Sequence, residues 1–295
     1  MQYKPLKTVL ILGCGYIGRR VAALLAPEKY LVSGVVRSRE STEKLAECGV
    51  GAICADLDQP LAGVDWGCHE ADIYYFAPPP SAGEQDLRMR AFLDSLPGKL
   101  AVRRMVYIST SAVYGDCHGA WITETQPLQP TTPRGWRRLD AEQQLRAWCE
   151  RHEVQWMILR VPGIYGPDKL PLQRLRKGTP VLRETEAPYT NRIHADDLAA
   201  ICVAAMQSTH CNQVYNVSDG HPGNMTDYFF RVADAAGLPR PPQVSREEAA
   251  SVVSAGMLSC LNDSRRLDNS KLLHELGVEL RFPGRVAGLH QCFGR

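Results

Sequence analysis

One stretch near the start, VLILGCGYIGRRVA at residues 9–22, restricts the fold more than any other. An apolar, β-branched run meets Gly13, Gly15 and Gly18, and a helical pattern follows at once. Glycine permits a tight turn, a close backbone approach to a pyrophosphate and close packing of helix on strand, while the helix N-terminus attracts the anion. A structural turn would satisfy the glycines alone. The strand before them and the helix after them point instead to a dinucleotide-binding loop, with Tyr16 and Ile17 also expected beside the cofactor.

Further apolar runs recur with room for a helix between them: LVSGVV, GAICA, DIYYFA, RMVYIS, QWMILR and QVYNV. Between them lie helical patterns such as RRLDAEQQLRAWCERH. This alternation predicts an α/β fold, a Rossmann-type doubly wound parallel sheet with a smaller C-terminal substrate lobe. Residues 1–166 read as the NAD(P)-binding domain. Residues 167–295 read mostly as the substrate lobe, introduced by the Pro/Gly-rich GPDKLPLQRLRKGTP, with 191–218 returning to the main core.

The second strand ends in VVRSRE, about 20 residues past the glycines, where an NAD site would carry a carboxylate for the adenosine ribose. Arg37 and Ser38 stand there, with Arg39 behind them, and cationic donors suit a 2′-phosphate. NADP is therefore the expected cofactor, ahead of NAD; the alternative is that these arginines only decorate a solvated turn. Glu40 lies too far along to serve as the ribose acceptor.

Other classes are disfavoured. A formal charge of +2 with 22% charged residues offers no polyanion-binding surface, so no nucleic acid is expected. TVLIL is far too short to cross a bilayer and no cleavage site follows it, so the chain is read as cytoplasmic, without a membrane partner. The ten cysteines lack a Cys-x-x-Cys pair and the eight histidines lack metal-ligand spacing, so no metal is expected and the thiols read as reduced and mostly buried.

With these residues in place the chain resembles the short-chain dehydrogenase/reductase superfamily, in its extended branch of NAD(P)-dependent epimerases and dehydratases. ADLDQP resembles that family's acidic contact near the adenine, implying Asp56 and Leu57. FAPPP resembles its cofactor-facing loop, implying Ala77, Pro78 and Pro79. ISTSAVYGD is similar to its Ser/Thr segment, in which Thr110 would bind the substrate's reacting oxygen and Ser111 is the fallback. LRVPGIYGP, with Pro162 beside the cofactor, NRIHADDLA, YNVSDG and RRLDNSKLLHELGVELRFP resemble later landmarks. Two departures stand out: Leu12 replaces a usual first glycine, as in an atypical subgroup, and Gly163 replaces an asparagine common in sugar-nucleotide enzymes. The second puts a nucleotide-sugar substrate in doubt.

The largest departure is in TPRGWRRLDAEQQL, where Arg134 and Arg138 occupy the places of the family's catalytic tyrosine and lysine. Helical spacing still sends both to one side. A guanidinium does not titrate near neutrality, so Arg134 cannot shuttle protons; it can clamp a carboxylate or phosphate or stabilise an oxyanion. Arg138 is expected to keep lysine's contact with the nicotinamide ribose. The alternative is a helix turned outward, with Arg134, Arg137 and Arg138 as a solvated basic face. Tyr114, Tyr165 and His194 are nominal proton carriers, although the segments holding them usually pack the core.

The resemblance implies an oxidoreductase or epimerase-like enzyme on a small, anionic substrate; the competing class is a non-catalytic NADP-binding sensor or scaffold. Leu139, Leu145 and Trp148 on the same helix suit a homodimer, and core packing explains them as well.

Overall fold

The computed structural model describes residues 6–67, 69–96, 102–253, 258 and 261–294. The apolar runs become the strands of one seven-stranded sheet: β1 (Lys7–Leu12), β2 (Tyr30–Val36), β3 (Gly51–Cys54), β4 (Ala71–Tyr75), β5 (Val102–Thr110), β6 (Gln155–Val161) and β7 (Gln213–Asn216). Their order is β7-β6-β5-β4-β1-β2-β3, and all neighbours run parallel. The chain is thus a doubly wound Rossmann-type α/β protein, and the order reverses between β1 and β4, where such sheets open a crevice for ligands.

Both faces of the sheet are covered, which explains why its strands read as continuous apolar runs. Along β1, Val9 and Ile11 point to one core and Leu10 and Leu12 to the other. Helices α1 (Tyr16–Leu24) and α5 (Ala195–Gln207) close the first with Val21, Leu198 and Ile201. Helices α3 (Leu87–Ser95) and α4 (Pro133–Arg151) close the second with Met89, Phe92 and Leu145. Each such side chain contributes about 1.5–3 kcal/mol on burial. Helix α2 (Arg39–Ala46) follows β2.

Helix starts follow local chemistry. Asp86 caps α3 by accepting from Met89 N at 3.0 Å, and Thr132 caps α4 by accepting from Gly135 N at 3.1 Å. Pro133 then takes the first helical position, where its missing N–H costs nothing.

After β6 the chain makes short strand pairs. Gly163–Tyr165 pairs with Arg192–His194 in parallel, and Tyr189–Thr190 pairs with Gly223–Asn224 in antiparallel. Helix α6 (Met225–Ala236) packs Tyr228, Phe229 and Val232 with Tyr165 and Leu175 in a separate small core. Residues 195–216 supply α5 and β7 to the main sheet.

Leu139 and Leu145, proposed above for a partner copy, are buried in this protomer: Leu139 with Val113 and Leu267, and Leu145 under the sheet. Trp148 packs against the same core and onto the His152 ring at 4.4 Å. Packing within the protomer thus accounts for Leu139 and Leu145, while Trp136 of the same helix is exposed. No helix among the described residues is long and apolar enough to cross a membrane, and no His/Cys/Asp/Glu group there could hold a metal ion.

Candidate active site

The glycine loop divides its duties three ways. Gly13 has φ +76°, and a Cβ there would lie 2.7 Å from Ala77 N, so only glycine fits between β1 and the loop after β4. A Cβ on Gly18 would meet the Ile11 side chain at 3.0 Å, so its absence lets α1 sit close on β1. Gly15 differs: a Cβ there would meet only Gly13 O, at 4.0 Å. Space is left beside Gly15 that the protein does not fill, at the N-terminus of α1.

That space belongs to a cavity of about 540 Å³, lined by Gly13, Gly15, Arg37, Ser38, Asp56, Leu57, Ala77 and Pro78 among others. Eight residues assigned to the cofactor from sequence therefore share one cavity. Arg39, by contrast, faces Glu43 at 3.7 Å. Tyr16, Ile17, Gly18 and Pro79 do not line it. Ile17 is buried in the core, and the Tyr16 hydroxyl donates to Pro167 O at 2.5 Å.

Arg88, at the start of α3, is a lining residue that the sequence reading missed. It forms a two-pronged pair with Asp58 and donates through Nη1 to Pro78 O at 3.0 Å, clipping the loop after β4 in place. Hydrogen bonding to Arg88 holds the Asp58 carboxyl below its usual range. Only a position in the first turn of α3 marked this residue in the sequence, and long-range pairs of this kind leave no local pattern.

A second cleft, of about 380 Å³, opens beyond the end of β5. Thr110, Ser111, Arg134 and Pro162 line it, as does Gly163. Thr110 is 7% exposed, and its Oγ1 accepts from Ala112 N at 3.3 Å, capping the short helical turn Ser111–Tyr114. Its hydroxyl hydrogen stays available for donation.

The three arginines in the first turns of α4 part ways. Arg137 is buried and donates to Gly83 O at 2.5 Å. Arg138 donates through Nη1 to Ile108 O at 2.8 Å and to the Tyr107 hydroxyl at 3.1 Å, and it lines neither cavity. Where a contact with the nicotinamide ribose was expected, the structure has this tie between Arg138 Nη1 and β5. Arg134 alone of the three is exposed, with no hydrogen-bond or ion-pair partner among the described residues, and it faces the cleft.

What aims this helix is Glu142, one turn beyond Arg138. Its carboxylate accepts from Ser109 Oγ at 2.5 Å and from Arg160 Nη2 at 2.8 Å, with all three groups buried. Arg160 also donates to the Tyr114 hydroxyl at 3.0 Å, which in turn donates to Asn216 Oδ1 at 2.6 Å. Burial pulls the Arg160 pKa down, but bonding to Glu142 outweighs it and the net direction is up. Since residues 134, 138 and 142 share one stripe, the stripe faces the sheet, and an outward basic face is ruled out. The spacing of Glu142 was visible in the sequence; its partner on β6 was not.

The nominal proton carriers are buried. Burial pushes the Tyr114 hydroxyl up to about 12, and it also drives Tyr165 well above the ordinary phenol value. His194 is fully buried, caps α5 by accepting from Asp196 N at 3.2 Å, and has its pKa lowered by burial. None of the three lines the cleft.

The cleft is instead rich in fixed cations. Lys169, Arg192 and Arg265 join Arg134, and Asp263 is the one carboxylate lining it among the described residues. Asp263 is already bonded to Arg265 at 3.2 Å and to Thr131 Oγ1 at 2.9 Å. Such a site selects for negative charge.

A parallel sheet with a glycine loop at its switch point, beside a second cleft at the strand ends, defines the chain as a Rossmann-type α/β protein. The model of the NAD dependent epimerase/dehydratase family matches residues 9–218, and the chain belongs to that family. Protein YeeZ of Escherichia coli K12 is 24% identical over 288 residues, spanning 94% of this chain and 97% of YeeZ. A functionally unknown conserved protein from Silicibacter pomeroyi superposes with a TM-score of 0.79 at 31% identity, covering 98% of both chains. UDP-glucuronic acid 4-epimerase from Bacillus cereus, solved with UDP-glucuronic acid and NAD, superposes with a TM-score of 0.74 at 19% identity, covering 97% of this chain and 98% of that one. The last likeness is one of fold.

Proposed function

We propose that this chain is an NADP-dependent oxidoreductase or epimerase-like enzyme acting on a small anionic molecule. The cavity beside Gly15 fits a dinucleotide: a side chain there would fill the space a pyrophosphate needs, and the N-terminus of α1 faces it. Arg37 and Ser38 at the cavity wall favour a 2′-phosphate over a bare ribose. When bound, the nicotinamide accepts or supplies a hydride at C4.

The remaining work falls to the cleft. Thr110 donates its hydroxyl hydrogen to the substrate oxygen, and Arg134 supplies a cation that is fixed before charge develops there. Arg138 serves this site from behind, by holding the last residues of β5 through Ile108 O. Tyr114, Tyr165 and His194 do not line the cleft, so proton transfer to or from that oxygen falls to solvent, to the substrate itself or to a lining residue such as Tyr189. The observation that carries the reading is Arg134, unpaired among the described residues and sharing one cleft with Thr110.

Arg134→Ala tests it. NADP affinity measured by calorimetry should stay within about twofold, while turnover of a substrate found by screening should fall by about 10². Turnover at the parent rate would sink the electrostatic role. A second reading, an NADP-binding sensor without turnover, draws on the burial of Tyr114, Tyr165 and His194. It predicts tight NADP binding and no substrate at all in the same screen.

A further inference from the structure

We infer that Arg192 is the specificity-determining residue of the cleft, seated in space that Gly163 leaves empty so that its guanidinium can bind a carboxylate or phosphate of the substrate. The inference rests on the reading of this cleft as the substrate site and adds the group by which the substrate is chosen. Arg134 at Thr110 would then act on the reacting oxygen, and Arg192 on a separate anionic end.

The argument begins with register. Arg192 and Gly163 are directly paired across two parallel strands, so side chains at the two positions leave the pair on the same side. A Cβ built at Gly163 would lie 1.8 Å from Arg192 Nη1 and 2.9 Å from Cζ. No residue other than glycine leaves the guanidinium where it is. The guanidinium is also stacked over the Tyr228 ring, with Cζ 4.0 Å from the centroid. Tyr228 is 3% exposed and fixed on α6, whose start is capped by Asn224 Oδ1 accepting from Thr226 N at 2.8 Å. The side chain is therefore bounded by bare backbone at Gly163 and by an aromatic face, which pre-organises a long residue that would otherwise sample many rotamers.

Charge points the same way. Arg192, Lys169 and Arg134 line the cleft, and Asp263, the carboxylate there, is already engaged by Arg265. Asp219, whose backbone N–H donates to Arg192 O at 2.8 Å and whose carboxyl feels the Arg192 charge, is buried and does not line the cleft. A planar guanidinium offers paired N–H donors that match the two oxygens of a carboxylate or of a phosphate edge. The same feature explains why Gly163 and Arg192 belong together: asparagine at 163 would evict the guanidinium and replace a charged fork with a neutral amide.

The test uses full-length protein saturated with NADP, so that the cofactor cavity cannot take the probe. Inorganic phosphate and malonate are titrated separately by calorimetry into the parent, Arg192→Gln, Gly163→Ala and Arg134→Ala. The parent should bind at least one probe; tighter phosphate marks a phosphate ester as the substrate end, and tighter malonate a carboxylate. Arg192→Gln should weaken that probe about tenfold or more, and Gly163→Ala should do the same although it removes no charge. Arg134→Ala should change it by no more than about threefold. Because an evicted guanidinium can swing to solvent, Gly163→Ala should melt near the parent temperature; if it does not fold, Arg192→Lys, which keeps charge and loses the fork, gives the same reading. A parent that binds neither probe, or variants that bind as the parent does, would overturn the inference. The readout needs no turnover, so its failure is separate from failure of the catalytic role of Arg134.

Discussion

The cofactor cavity and the cleft differ in what their walls are made of. Around the cavity, backbone and small residues dominate: Gly13, Gly15, Ala55, Ala77 and Pro78, delivered by the ends of neighbouring strands within the first third of the chain. Around the cleft, the recognising atoms sit at the tips of long side chains, Arg134, Lys169, Arg192 and Arg265, brought from segments spread over more than a hundred residues. A phosphate held by main-chain N–H groups demands glycine at fixed spacing, because only an absent side chain lets the backbone approach. An anion held by guanidinium groups demands only that some helix or strand end put them there. The first demand constrains the local chain, the second the tertiary fold.

Substitution at two glycines puts this contrast under the greatest stress. Gly15→Val should abolish binding of NADP and NAD while leaving the melting temperature close to the parent value, since Gly15 faces open space. Gly13→Val should lower the melting temperature, because its Cβ meets Ala77 N and its φ is +76°. Equal cofactor affinity in a folded Gly15→Val protein would reduce the loop to a turn.

On the cleft side the comparable stress falls on a charge. Glu142→Ala should destabilise the fold by about 3–5 kcal/mol in denaturant titration, because it strands the buried Arg160 guanidinium without its carboxylate. A loss below about 1 kcal/mol would mean that Tyr114 and the neighbouring backbone hold α4 unaided. The smallest effect is expected at the cavity's outer wall, where Arg37→Glu should shift the NADP-to-NAD affinity ratio by about tenfold or more toward NAD. Unchanged ratios would assign Arg37 to solvent.

The same difference explains what was legible in the sequence. All seven strands of the sheet appear as apolar runs; the central ones are buried on both faces and have few polar positions to interrupt them, whereas β3 at the edge is mostly exposed. The glycine loop and Arg37 were placed at one cavity for the local reasons given above, and Thr110 came from the resemblance alone. Arg88 was not, because its partner Asp58 lies 30 residues away and on another element. Arg192 was passed over within NRIHADDLA, since its importance depends on a glycine 29 positions earlier that only strand pairing brings beside it. Arg138 was given a ligand contact by analogy with lysine, and its tie to β5 through Ile108 O was not foreseen.

Glu142 bears on how such a protein can change. A helix whose direction is fixed in its middle, by a buried carboxylate on β5 and β6, keeps pointing its first turn at the same spot whatever that turn carries. Residue 134 is then free to be replaced as a tool bit is replaced in a chuck. Proton-transfer groups can be exchanged for fixed cations without re-aiming the helix or rebuilding the sheet beneath it. New chemistry in this architecture requires changes at the working end alone, and the grip that permits them lies where no substrate reaches.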